Sequence, residues 1–143
     1  MPNTVILRGD NVTFREDRCN QTMSPGHLLD FAANDRLQLH GTAGGPAPRM
    51  FALEADYIGN EVTVAYASGD RVPYADCAPG TVVWAFLASG QNVARGAYLQ
   101  YAGDGTLTTR TGTNSGIAHA DEDANATVAG TTTAGIRFRA RVI

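Results

Sequence analysis

Any chemistry in this chain has to come from a short list of side chains. It carries three histidines, His27, His40 and His119, two cysteines, Cys19 and Cys77, and four serines, Ser24, Ser68, Ser89 and Ser115. None of the histidines lies in an H-E-x-x-H motif, and their separation shows no metal-ligand spacing. None of the serines sits in the G-x-S-x-G elbow, whose strained turn is what exposes a nucleophile. A nucleophilic pair of Cys77 with a histidine needs the fold to bring the two together, and the spacing gives no sign of it. A small buried thiol and surface imidazoles are the simpler expectation. Asp121, Asp123 and Asn125 alternate like the opening ligands of a calcium loop, but Ala126 and Thr132 stand where such a loop needs glycine and a bidentate glutamate. That run reads as a surface loop. No catalytic residue, metal or cofactor is expected, and the chain reads as a non-enzyme.

The charges exclude more. All eleven basic residues are arginine and there is no lysine, which removes a Walker A loop, a Schiff-base lysine and a lysine general base together. A net charge of −3 argues against a protein that coats nucleic acid, which carries a basic excess. No apolar run approaches the roughly 20 residues of a membrane span. Residues 1–8 do not resemble a signal peptide, so a reducing compartment with both thiols free is expected. On that reading the N-x-T patterns at Asn11, Asn20 and Asn125 are not glycosylation acceptors. Arg8-Gly9-Asp10 reads as a solvated turn rather than an adhesion motif.

The elements that must position these residues are strands. At 143 residues and 15.1 kDa the chain is one domain by size, long enough to bury roughly two-thirds of its unfolded surface. Between residues 69 and 107, strand-length apolar runs alternate with Gly69-Asp70, Pro79-Gly80, Ser89-Gly90 and Gly103-Asp104-Gly105, and glycine or proline punctuates strands in that way. Thr81–Leu87 is apolar on both alternation faces, which marks it as the central strand. Residues 27–40 read as a hairpin about Asn34-Asp35, residues 41–48 as an exposed loop, and Arg49–Glu54 as a strand. Glu61–Tyr66 alternates, with Val62, Val64 and Tyr66 expected inward. Thr106–Thr113 suits a partly exposed strand. The fold class is all-β, a small β-barrel or β-tulip.

Both ends carry arginines suited to contact. Thr4, Val5, Ile6 and Leu7 form a short apolar strand followed by Arg8, and Arg15 and Arg18 lie further along. Residues 1–25 are expected to be an N-terminal arm or hairpin ahead of a barrel over 26–143. Such an arm could dock on another chain's sheet edge, with arginines fixing register through bonds to carboxylates. The competing expectation is that it completes its own barrel. The C-terminal run alternates strictly, Ile136, Phe138, Ala140 and Val142 against Arg137, Arg139 and Arg141. Same-face neighbours about 7 Å apart repel by only ~0.6 kcal/mol in water, so solvent alone tolerates this row; a docking surface is the alternative.

Several phrases resemble those of head decoration, or capsid cement, proteins of tailed bacteriophages: His40–Gly45, Arg49–Glu54, Ala67–Val72, Pro79–Trp84, Ser89–Val93, Gly96–Leu99 and Ala102–Leu107. The likeness runs over most of the chain from about residue 22. It implies a β-barrel or β-tulip protein that clusters, commonly as a homotrimer, on the outside of an expanded capsid and clamps major capsid protein subunits. The implied location is the virion surface after synthesis in the host cytoplasm, with no nucleic-acid or membrane partner. The family brings no catalytic residues. A carbohydrate-binding or fibre-associated β-domain is the alternative, with Tyr57, Tyr74, Tyr98 and Tyr101 as stacking platforms. A small β-barrel enzyme is the third reading and would require titrating groups to converge.

Overall fold

Strand boundaries fall where the backbone can turn. In this computed structural model, which describes residues 3–9, 11–45, 48–127 and 135–143, thirteen strands and one 3-10 turn (Asp56–Ile58) follow one another: β1 (Ile6–Arg8), β2 (Val12–Cys19), β3 (Leu28–Ala32), β4 (Arg36–Leu39), β5 (Met50–Ala52), β6 (Arg71–Cys77), β7 (Val82–Leu87), β8 (Asn92–Val93), β9 (Tyr98–Tyr101), β10 (Leu107–Thr109), β11 (Ala118–Ala120), β12 (Ala124–Asn125) and β13 (Ile136–Val142). The fold is all-β. The hairpin expected over residues 27–40 forms as β3 and β4, and both Asn34 and Asp35 take positive φ.

The strands make two bodies. One is a closed barrel in the order β2-β4-β3-β5-β6. The other is a sheet in the order β1-β7-β10-β9-β11-β13 that curls back on itself, because β13 also pairs with β7. Strands β8 and β12 form a separate two-stranded ribbon.

Alternation sorts the barrel's side chains between two cores. Leu29, Leu37, Met50, Val72 and Tyr74 point inward with Met23 and Tyr66. Leu28, Phe51, Ala75 and Cys77 point outward and join the core of the curled sheet, beside Val83, Leu99, Phe138 and Val142. The side of the barrel wall made by β3, β5 and β6 therefore doubles as one layer of a sandwich, and burial of both faces accounts for the adjacent apolar pairs Leu28-Leu29 and Met50-Phe51.

Two glycines let the bodies approach. Gly105 donates to His40 and accepts from Leu28; at φ +82°, a Cβ there would lie 2.9 Å from Leu39. Gly26, at φ +98°, passes so close to β7 that a Cβ would sit 2.6 Å from the Trp84 carbonyl oxygen. At Gly26 a Cβ would collide with backbone, and at Gly105 the positive φ and the nearby Leu28 carbonyl at 3.3 Å disfavour one.

Three expectations are corrected. Among the described residues, 3–9 and 11–25 do not stand off as an arm: β1 lies against β7 in the sheet, and β2 is a barrel stave paired with β6 along its length. Nor are β1 and β2 a hairpin, since each joins a different body. The reason is burial, for Val5 is 0% exposed and its carbonyl accepts from the Trp84 amide. Glu61–Tyr66 is not a strand. It turns at Val64, which is 41% exposed and donates to Glu61; only Tyr66 pairs, bridging Met23 where the two side chains help fill the barrel. Thr106–Thr113 contributes strand only at Leu107–Thr109, because buried Gln100 draws in Thr111 and Asn114 through its amide oxygen.

Candidate contact surface

The C-terminal arginines meet the doubly apolar strand. Antiparallel register sets Arg137 opposite Phe86, Arg139 opposite Trp84 and Arg141 opposite Val82, and directly opposed residues share a face. The outer apolar face of β7 is thereby covered by arginine stems, whose heads remain polar. Val82 is 6% exposed although it lies on this outer face.

The three arginines differ in fate. Arg137 turns inward over the Phe86 ring, 4.5 Å from its centroid, and donates to the carbonyls of Pro25 and Val62 at 3.1 and 2.7 Å. His27 also stacks on that ring, at 4.5 Å, its Nδ1 accepting from the Ser24 amide. Burial first, and then the Arg137 charge, lower the His27 pKa to about 4. This triplet is a brace between the barrel's entry loop and the sheet. Arg139 pairs with Glu122, whose other oxygen accepts the Arg139 amide. Arg141 is exposed, with no carboxylate partner among the described residues. The expected basic row is thus one structural brace, one local ion pair and one open guanidinium.

Register extends the row from Arg141 in both directions. His119 lies opposite Arg141, Tyr98 opposite His119, and Arg8 opposite Val82 on the far side. A bulge between Ile6 and Arg8 shifts the register by one, so Arg8 leaves the inward face of Ile6 and joins the outward face of Val82. The Tyr98 and His119 rings lie 4.3 Å apart, and the Arg110 guanidinium lies 5.9 Å from the Tyr98 centroid. A belt of Arg110, Tyr98, His119, Arg141, Val82 and Arg8 therefore crosses the outside of the sheet.

Comparison with known proteins bears on the fold. No family model matches the chain, and no curated protein matches its sequence. Among solved structures, the N base of the head fibre gp8.5 of bacteriophage phi29 superposes with a TM-score of 0.61, over 92% of this chain and 94% of that one, at 12% identity. The chain shares that protein's fold. At that identity the likeness concerns architecture, and within it the two bodies are both included, since nearly the whole of each chain is covered.

Within this fold the other expected contact residues are scattered. Thr4 is exposed, but Val5 is buried, and the Val5 amide donates to Glu54. Ile6 and Leu7 are half-buried. On the barrel, Arg15 lies over the Tyr74 ring and Arg18 donates to the Gly69 carbonyl. Of the four tyrosines considered as platforms, Tyr74 and Tyr101 are buried, leaving Tyr57 and Tyr98 exposed. Asp10 of the Arg8-Gly9-Asp10 triplet lies outside the described residues.

The groups first considered for chemistry do not meet. His40 packs on Tyr101, His27 on Phe86 and His119 on Tyr98. Both cysteines are free and buried, and burial pushes the Cys77 thiol up to about 12, away from thiolate reactivity. Asp121 faces Arg95, Asp123 accepts the Arg95 amide and Asn125 accepts from Thr127. Among the described residues no three His, Cys, Asp or Glu side chains group as metal ligands.

Sequence reasoning missed Arg110, Tyr98 and His119 as members of one surface. Tyr98 alternates out of phase with buried Leu99, a visible signal, but its alignment with His119 and Arg141 depends on strand order.

Proposed function

We propose that this protein is a structural, non-enzymatic component of a phage virion. It sits on the outer surface of the expanded head, associates as a homotrimer, and binds major capsid protein subunits so as to stabilise their contacts. The observation that carries this reading is the near full-length likeness to a phage head-fibre base. The decoration-like phrases along the sequence support it independently. Such a protein acts by linkage: a ligand that binds only the assembled lattice stabilises it by about 2.7 kcal/mol per site at a hundredfold excess over Kd. No chemistry is needed.

The test uses expanded heads assembled from the major capsid protein of the same phage without this chain. Added protein is expected to co-sediment with them in fixed stoichiometry and to raise their disruption temperature. Sedimentation equilibrium of the free protein is expected to return three times the chain mass. Heads that neither bind the chain nor gain heat resistance contradict the proposal.

A further inference from the structure

The belt across the curled sheet is unusual in its charge. Arg110, Arg141 and Arg8 are all exposed, and among the described residues none is paired with a carboxylate; Arg110 is held at its Nε by the Asn114 carbonyl, while Arg141 and Arg8 are open. The belt itself contains no acidic residue, on a chain whose net charge is −3. Tyr98, 51% exposed, and His119 give it an aromatic floor, while the stems of Arg8 and Arg141 flank Val82. Four strand-to-strand steps separate Tyr98 from Arg8, a path of about 19 Å along the curved outer surface of the sheet at the usual spacing. That path suits a short polypeptide segment wrapped across the curved strands.

We propose that this belt is the face that grips the capsid, and that its occupant is an acidic, carboxylate-bearing segment of the major capsid protein. The inference rests on the head-surface reading above and adds which face is used and what chemistry it recognises. Charge complementarity selects the occupant. Guanidinium forks match carboxylates in bidentate geometry, and exposed Tyr and Arg are the residue types that dominate binding energy at protein interfaces. Three cations over that span are too few for duplex DNA, which presents one charge per about 1.7 Å, and the acidic remainder of the chain opposes it.

The experiment measures binding to the same expanded heads at low and moderate salt. Arg8→Glu with Arg141→Glu is expected to weaken binding at least tenfold. Arg8→Gln with Arg141→Gln, which keeps the stems over Val82 and so guards against misfolding, is expected to weaken it severalfold with an unchanged Tm. Arg71→Glu on the barrel is the control and is expected to bind as the parent does. A polyglutamate peptide is expected to compete with heads for the parent protein. If the parent binds and both double variants bind equally well, the belt is overturned while the head-surface reading stands. Failure of the parent to bind overturns both. Competition by duplex DNA but not by polyglutamate overturns the acidic-segment assignment.

Discussion

The barrel and the curled sheet use one residue type in opposite ways. On the barrel, Arg71 pairs with Glu16 at 3.1 Å, Arg18 is tied to the Gly69 carbonyl, and Arg15 lies over Tyr74, whose hydroxyl donates to Asp17. These three cations are each answered by an anion, an acceptor or a ring within the same wall. On the sheet, Arg137 is absorbed into the joint, Arg139 finds Glu122 and Arg110 is tied to the Asn114 carbonyl, while Arg8 and Arg141 are left without a carboxylate or carbonyl partner among the described residues. A charged residue's role follows from which neighbour the register supplies, and a surface with unanswered charge is where a partner can supply the answer.

The largest effect is expected within β13, whose inward face packs in the core while its outward face carries the arginines. Phe138, 1% exposed in the shared core, is expected to cost 3–5 kcal/mol on Phe138→Ala, roughly the range for large-to-small aromatic truncation. Thermal unfolding would read this as a fall in Tm of roughly 10 °C or more. A loss below about 1 kcal/mol would mean that β13 does not close the sheet.

Next in size is the contrast between two arginines on the outer face. Arg137→Ala removes a charged donor from two carbonyls and uncovers Phe86, an expected loss of about 2–3 kcal/mol. Arg141→Ala should stay within about 0.5 kcal/mol. Denaturant midpoints for the two variants check this, and equal losses would erase the distinction between brace and belt.

The brace also predicts an acid weakness. His27 is held neutral down to about pH 4 in the folded chain, against an ordinary value near 6.5. Below pH 6.5 the unfolded chain takes up a proton that the folded chain refuses, so the stability is full above that value and drains as pH falls toward 4. Between pH 7 and 5 the loss is about 2 kcal/mol, on 1.36 kcal/mol per pKa unit. Denaturant titrations across that range should show the slope for the parent and a flatter one for His27→Gln.

The smallest effect is expected on the barrel. The Arg71–Glu16 pair is solvent-exposed, and Arg71→Gln should cost under about 0.5 kcal/mol, a difference that salt removes. A larger, salt-resistant loss would make the barrel's ion pairs structural.

Much of this was legible along the chain. The doubly apolar run at Thr81–Leu87, the alternation of the last strand and the turn at Asn34-Asp35 each depend on local rules of period and φ, and each has its counterpart in β7, β13 and the β3–β4 hairpin. Glu61–Tyr66 misled because alternation over six residues does not reveal whether a partner strand exists; Tyr66 alone has one. The N-terminal segment misled for a related reason. Thr4–Leu7 reads as an unpartnered strand only until β7 is seen to have a free edge beside it.

The strand class, the turns, the lack of lysine chemistry and the apolar and basic faces of the final strand were readable from the residues alone. Those are properties of residue type and of a two-residue period, and they need no knowledge of neighbours. Only the tertiary structure decided that the first strand stays at home, that Arg137 is a brace while Arg141 faces outward, and that Tyr98 and His119 line up with Arg141 and Arg8. Each of these depends on strand order and register between segments up to a hundred residues or more apart, such as Arg8 and Arg141 flanking Val82. No local pattern encodes such pairings, because they are chosen by how whole faces bury against one another.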